Sequence, residues 1–124
     1  MEPLMKNELE ISRGDIIRCD FGNYQDLPGG STKGERPAVV IQNDTGNKYG
    51  NHIIVAIVSR KQKRHIPVLV NFSHDESPLP RGGSINCAHI FTVGKQDVIA
   101  KEGSISNKLM QKVDEALRIS LALD

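Results

Sequence analysis

Gly34-Glu35-Arg36-Pro37-Ala38-Val39-Val40-Ile41-Gln42-Asn43-Asp44 is the stretch whose reading decides the fold. Residues 38–41 are four apolar positions in a row, the pattern of a short strand covered on both faces. Pro37 stands at the start of that strand, where a missing N–H need not break a ladder. Asn43-Asp44, with Gly46-Asn47 close behind, predicts a turn. Arg36 is then held by stiff backbone at the rim of a core, a good place to grip an anion. The plain structural alternative is that Arg36 pairs with Glu35 or caps the sheet edge.

Before this stretch, Arg13-Gly14-Asp15 opens a predicted strand over 16–21, in which Ile17, Cys19 and Phe21 form one apolar face. Residues 1–12 carry charges and no period and are expected to form a loose arm, leaving 13–124 as one domain. Residues 22–33 are rich in glycine and polar groups and predict a long surface loop. Gly29-Gly30-Ser31-Thr32-Lys33 lacks the spacing of a nucleotide-binding loop and leads into a strand, so a nucleoside triphosphate site is excluded.

Beyond the central strand, 53–58 predicts a third strand ending in Ser59. Arg60, Lys61, Lys63, Arg64 and His65 then form a basic loop, read either as a solvated connection or as a polyanion contact. Short strands follow over 68–71 and 85–91, with one more within 99–105. Ser106 is placed to cap a closing helix whose Leu109, Val113, Leu117 and Leu121 recur every fourth residue, a core-facing stripe. Short strands with one helix at the end predict a mainly β fold with α: a small, strongly bent sheet or partly closed barrel of about five to seven strands plus a C-terminal amphipathic helix.

At 124 residues the chain fits one core. Sixteen basic against fifteen acidic residues leave a net charge of +1, so a binding site for a polyanion has to be local. The longest apolar run is too short to span a bilayer, and the first residues carry no apolar signal segment. A cytoplasmic location is therefore expected. Cys19 and Cys87 lack metal-like spacing and read as free, buried thiols. His52, His65, His74 and His89 offer no zinc-like pair, and no acid-rich calcium loop occurs, so no metal or other cofactor is expected. What remains is an arginine at one strand start, a hydroxyl at another strand end and a basic loop beside it. Those parts suit stabilisation of a phosphate.

Arg13-Gly14-Asp15-Ile16, the run from Gly34 to Asp44, the strand ending in Ser59, and the tail Lys112-Val113-Asp114-Glu115-Ala116-Leu117-Arg118-Ile119-Ser120-Leu121-Ala122-Leu123 together resemble the MazF/PemK family of toxin endoribonucleases. The resemblance implies an SH3-like barrel with a helix, assembled as a homodimer. It implies sequence-specific, metal-independent cleavage of single-stranded RNA to a 2′,3′-cyclic phosphate and a 5′-hydroxyl. It further implies a cognate antitoxin whose extended acidic and hydrophobic tail fills the RNA groove. By motif position the catalytic pair is Arg36 and Ser59. RNA contacts are expected from Arg60, Lys61, Lys63 and Arg64, and from His89, which stands where similar chains carry glutamine. The competing reading is a non-catalytic toxin of the same fold, similar to the CcdB gyrase poisons. Those lean on a tryptophan-bearing helix end, and this chain has no tryptophan.

Overall fold

The computed structural model describes residues 9–22 and 34–124. Most of the expected arm and most of the expected 22–33 loop lie outside those residues. The elements run β1 (Asp15–Asp20), β2 (Glu35–Val40), α1 (Asp44–Tyr49), β3 (His52–Ser59), β4 (Leu69–Phe72), β5 (Gly83–Gly94), β6 (Val98–Ser104) and α2 (Asn107–Leu121). The six strands form one sheet in the order β4-β5-β3-β2-β1-β6, every neighbouring pair antiparallel. The mainly β class with a closing helix is as expected. The ladder does not close on itself among the described residues, and β4 and β6 are its edges.

Strand periodicity builds two cores, one on each side of the sheet. Ile16, Val39, Ala56, Val58 and Ile85 point to the side covered by the α2 stripe of Leu109, Val113, Ala116 and Leu117. Ile17, Cys19, Ala38, Val40, Val55 and Ile57 point the other way and pack with Ile11 and Phe21. Phe21 meets Phe91 edge to face at 5.6 Å between centroids. Burial on both faces is why residues 38–40 read as a continuous apolar run rather than an alternating one. The β2–β3 ladder starts at Ala38, directly after Pro37, which removes no hydrogen bond from it.

The turn expected at Asn43-Asp44 is instead the start of a short helix. Asn43 caps α1 by accepting from the Gly46 N–H at 2.8 Å, and Asp44 sits in the first turn, where a negative charge is favoured. Residue types that make turns also make caps, so the sequence cannot separate the two outcomes here. α2 is capped as expected, Ser106 Oγ accepting from the Leu109 N–H at 3.1 Å.

Arg13-Gly14-Asp15 is a structural fastening. Arg13 donates to the Ile41 carbonyl at 2.8 Å and to Asp114 of α2 at 2.7 Å. Gly14 has φ +94°, and a Cβ there would lie 3.7 Å from Met110 Sδ. Asp15 is buried, accepts from the Ser12 N–H and the Ser104 hydroxyl, each at 2.7 Å, and faces Lys101 at 3.3 Å.

Candidate active site

Sheet register gathers the polar residues at one end of β2, β3 and β5. Ala38 lies opposite Ile57, and continuing that register sets Arg36 opposite Ser59. Ser59 pairs with Ser84, and Ser84 in turn with Asn71 of β4. Side chains two residues apart share a face, so Arg36 and Ser59 stand on the side of Ala38 and Ile57, away from α2. Arg36, Ser59, Lys63, Ser84 and Asn86, with the apolar Ile57 and Leu69, line a cavity of about 30 Å³. That is enough to admit a water molecule or an oxygen of a phosphoryl group.

Ser59 and Lys63 are each held by identifiable contacts. Ser59 is the last residue of β3, and its Oγ accepts from the Lys61 N–H at 3.3 Å, which leaves its own proton available to a ligand. Gly83 lets β5 approach Ser59. A Cβ at residue 83 would lie 2.1 Å from the Ser59 carbonyl oxygen. Lys63 is pinned by Asn71, which accepts from the Lys63 N–H at 3.0 Å and donates to the Lys63 carbonyl at 3.1 Å. The basic loop is therefore tied to the edge strand beside the cavity.

Arg60 and Lys61 face a neighbouring cleft of about 420 Å³ with Arg18, Arg81 and Glu102. Arg18 is matched there by Glu102 at 2.5 Å and more loosely by Glu35 at 3.8 Å. Arg60, Lys61 and Arg81 form no ion pair among the described residues, so the cleft keeps a positive excess. Arg64 is exposed on the same loop.

His89 lies one hydrogen bond from the cavity. Between the pairs Ala56–Ile90 and Ile57–Asn86 the register shifts, and β5 carries extra residues through 87–89. Such bulges re-aim side chains. Asn86 Oδ1 accepts from the Ala88 N–H at 2.9 Å, and its Nδ2 lies 2.8 Å from His89 Nδ1. The Ala88 N–H can only donate, so the amide oxygen must face it and the NH₂ must face the ring. His89 Nδ1 then accepts, and the proton of the neutral ring sits on Nε2.

Cys19, the β1 neighbour of Arg36, is buried. Burial, reinforced by Asp97, pushes its thiol up to about 12, and burial with Asp114 does the same for Cys87. Neither is a nucleophile near neutral pH. Among the described residues no three His, Cys, Asp or Glu are grouped to hold a metal ion.

Arg36, Ser59 and Lys63 thus converge, Arg60 and Lys61 lie in the adjoining cleft, and His89 reaches the cavity through Asn86. Sequence reasoning missed Ser84, Asn86, Asn71 and Gly83. Period two within 83–91 would have put Ser84 and Asn86 on one face. Their alignment with Ser59 depends on cross-strand register, which the sequence does not display.

Residues 12–121 match the family of PemK-like, MazF-like toxins of type II toxin–antitoxin systems. The chain is 36% identical over 114 residues to Endoribonuclease EndoA of Bacillus subtilis (strain 168), spanning 91% of this chain and 96% of that protein. A mycobacterial endoribonuclease in complex with its cognate antitoxin superposes with a TM-score of 0.74 at 25% identity, covering 92% of this chain and 97% of its own. MazF in a MazE–MazF complex from Deinococcus radiodurans has the same fold, with a TM-score of 0.72 at 14% identity, covering 94% and 100%.

Proposed function

Because the chain belongs to the PemK-like, MazF-like toxins of type II toxin–antitoxin systems, we propose that it is a sequence-specific endoribonuclease acting on single-stranded RNA. The observation that supports this most directly is the convergence of Arg36, Ser59 and Lys63 on one small cavity.

The chemistry follows from the donors. The 2′-hydroxyl of the substrate attacks the adjacent phosphorus, the P–O5′ bond breaks, and a 2′,3′-cyclic phosphate and a 5′-hydroxyl result. One proton leaves O2′ and one reaches O5′, so the step needs no net proton, electron or water. Negative charge grows on the non-bridging oxygens. The Arg36 guanidinium offers them a planar fork of charged donors, Lys63 adds a cation, and Ser59 adds a hydroxyl. Among the described residues the cavity wall has no carboxylate, and the proposed mechanism uses no divalent ion.

Arg60, Lys61 and Arg81 give the RNA backbone a cationic path leading away from Ser59. Phosphate contacts position a strand, whereas base edges specify it. His89, with its Nδ1 engaged by Asn86 and its Nε2–H left as a donor, is assigned to base reading. We expect a cytoplasmic homodimer, checked by an antitoxin with an acidic and hydrophobic tail. The dimer agrees with an apolar hollow of about 590 Å³ beside α2, which Ile90, Leu117, Leu121 and Leu123 line. Sedimentation at micromolar concentration checks it, and a lone monomer would remove it. No helix among the described residues is long and apolar enough to cross a membrane.

The test of function is single-turnover cleavage of a long RNA in EDTA, with fragment ends mapped. Wild-type protein should give discrete fragments ending in cyclic phosphate. Arg36→Ala should cut at least ~10²–10³-fold more slowly with little change in RNA affinity. Intact RNA with wild-type protein, or full-rate cleavage by folded Arg36→Ala, would remove this reading.

A further inference from the structure

Ser84 is the residue in the cavity that neither the motif nor the basic loop accounts for. It is 1% exposed, and among the described residues its Oγ has no hydrogen-bond partner. Buried hydroxyls are almost always paired, because losing water without a replacement bond is costly, and exceptions call for a reason. Sequence context offers no structural one. The neighbouring Ile85 and Cys87 face the core on the other side of the sheet, and alanine would fill the same backbone position without an orphaned oxygen.

Register supplies the reason. Ser84 is the direct cross-strand partner of Ser59 on β3, and it lines the same cavity of about 30 Å³ with Arg36 and Lys63. Directly opposed residues in an antiparallel pair hold their Cβ atoms about 5 Å apart. Two hydroxyls at that spacing can reach a single tetrahedral group between them. Ser59 Oγ already accepts from the Lys61 N–H, and Ser84 Oγ has no hydrogen-bond partner among the described residues. The close approach at Gly83 brings β5 near enough for both to face one ligand.

We propose that Ser84 is a second hydroxyl of the active site, whose O–H donates to a non-bridging oxygen of the phosphate undergoing attack. Resting on the ribonuclease reading, the inference adds a residue to it. Ser84 Oγ has no protein partner among the described residues, so a phosphoryl oxygen entering the cavity supplies one, and most strongly when that oxygen carries the charge of the pentavalent state. A donor fixed in place beforehand spends nothing on reorientation at the moment of reaction. Ser84 moves no proton and forms no bond to phosphorus. It is a catalytic residue by direct contact with the reacting group.

Ser84→Ala separates this role from a packing role. Loss of the hydroxyl should leave the melting temperature unchanged or higher, since an unsatisfied group is removed. The single-turnover rate should nevertheless fall by ~10²-fold, in the range for one oxyanion donor, with KM nearly constant. Phosphorothioate substrates supply a readout that packing would not move. In wild-type protein the two diastereomers should be slowed unequally, and in Ser84→Ala the penalty for one of them should collapse while the other stays. A Ser84→Ala protein that folds, cleaves at the wild-type rate and keeps both sulfur penalties overturns the proposal and leaves the ribonuclease reading intact. If wild-type protein cleaves no RNA, that reading fails and takes this one with it.

Discussion

Gly83→Ala tests whether the approach of β5 to Ser59 is what builds the site. The new methyl carbon would lie 2.1 Å from the Ser59 carbonyl oxygen and 3.2 Å from Phe72 Cζ, whereas real Cβ atoms stay beyond 3.0 Å. The oxygen in its way belongs to the backbone of a strand held on both sides, so no side chain can rotate aside to make room. β3 and β5 must part by nearly 1 Å at this point. Overpacking of that kind costs about 1–3 kcal/mol, roughly 4–12 °C in melting temperature for a chain of this size. The rate should suffer more than the stability. Misplacing a catalytic group by about 1 Å costs ~10²-fold even when the group itself is untouched. Thermal melts and single-turnover cleavage on the same preparation measure both. The reasoning is refuted if Gly83→Ala melts with wild type and cleaves at its rate, because the strands would then have had room to spare.

Three further outcomes follow from the same geometry. Neutralising Arg60, Lys61, Lys63 and Arg64 together should flatten the salt dependence of RNA affinity by ~0.7 per lost phosphate contact without moving the cleavage position. A shifted position with an unchanged slope would count against a backbone role for the loop. Asn86→Asp replaces the donor facing His89 with an acceptor, so nitrogen-15 NMR should find the proton on Nδ1, and base preference beside the cut should change. An unaltered ring would show that Asn86 does not set it. Cys19 and Cys87, with thiols pushed up to about 12 by burial, should resist iodoacetamide at pH 8 in the folded protein and react on unfolding. Alkylation at the unfolded rate would contradict their burial.

The elements were legible because apolar runs and periodicities are local properties. Residues 38–41, the third strand and the α2 stripe each carry their own pattern within a few positions. Arg36 and Ser59 were found through motif resemblance, and the geometry then brought them together. Ser84 and Asn86 were not found. Each is an ordinary strand residue whose importance lies in standing across from Ser59 and Ile57, and register arises from pairings between distant segments. Helix α1 was hidden for a different reason, since Asn43-Asp44 suits a turn and a helix cap equally well. The bulge at 87–89, which aims His89, leaves no mark in the sequence, where 85–91 reads as one short strand.

The fastening at Arg13 bears on when the protein can act. Arg13 grips Asp114, and β1 lies between β2 and β6, so the first strand finds its last neighbours only near the end of the chain. During synthesis the early strands can pair with one another, yet β6 and α2 are still missing, and the core that α2 covers stays open to solvent. Contacts this distant in sequence are late to form and slow to close. A growing chain still held at its ribosome therefore has the arginine and the serine long before it has a finished sheet to hold them. The sheet that holds Arg36 and Ser59 in register is completed only once β6 and α2 have been made.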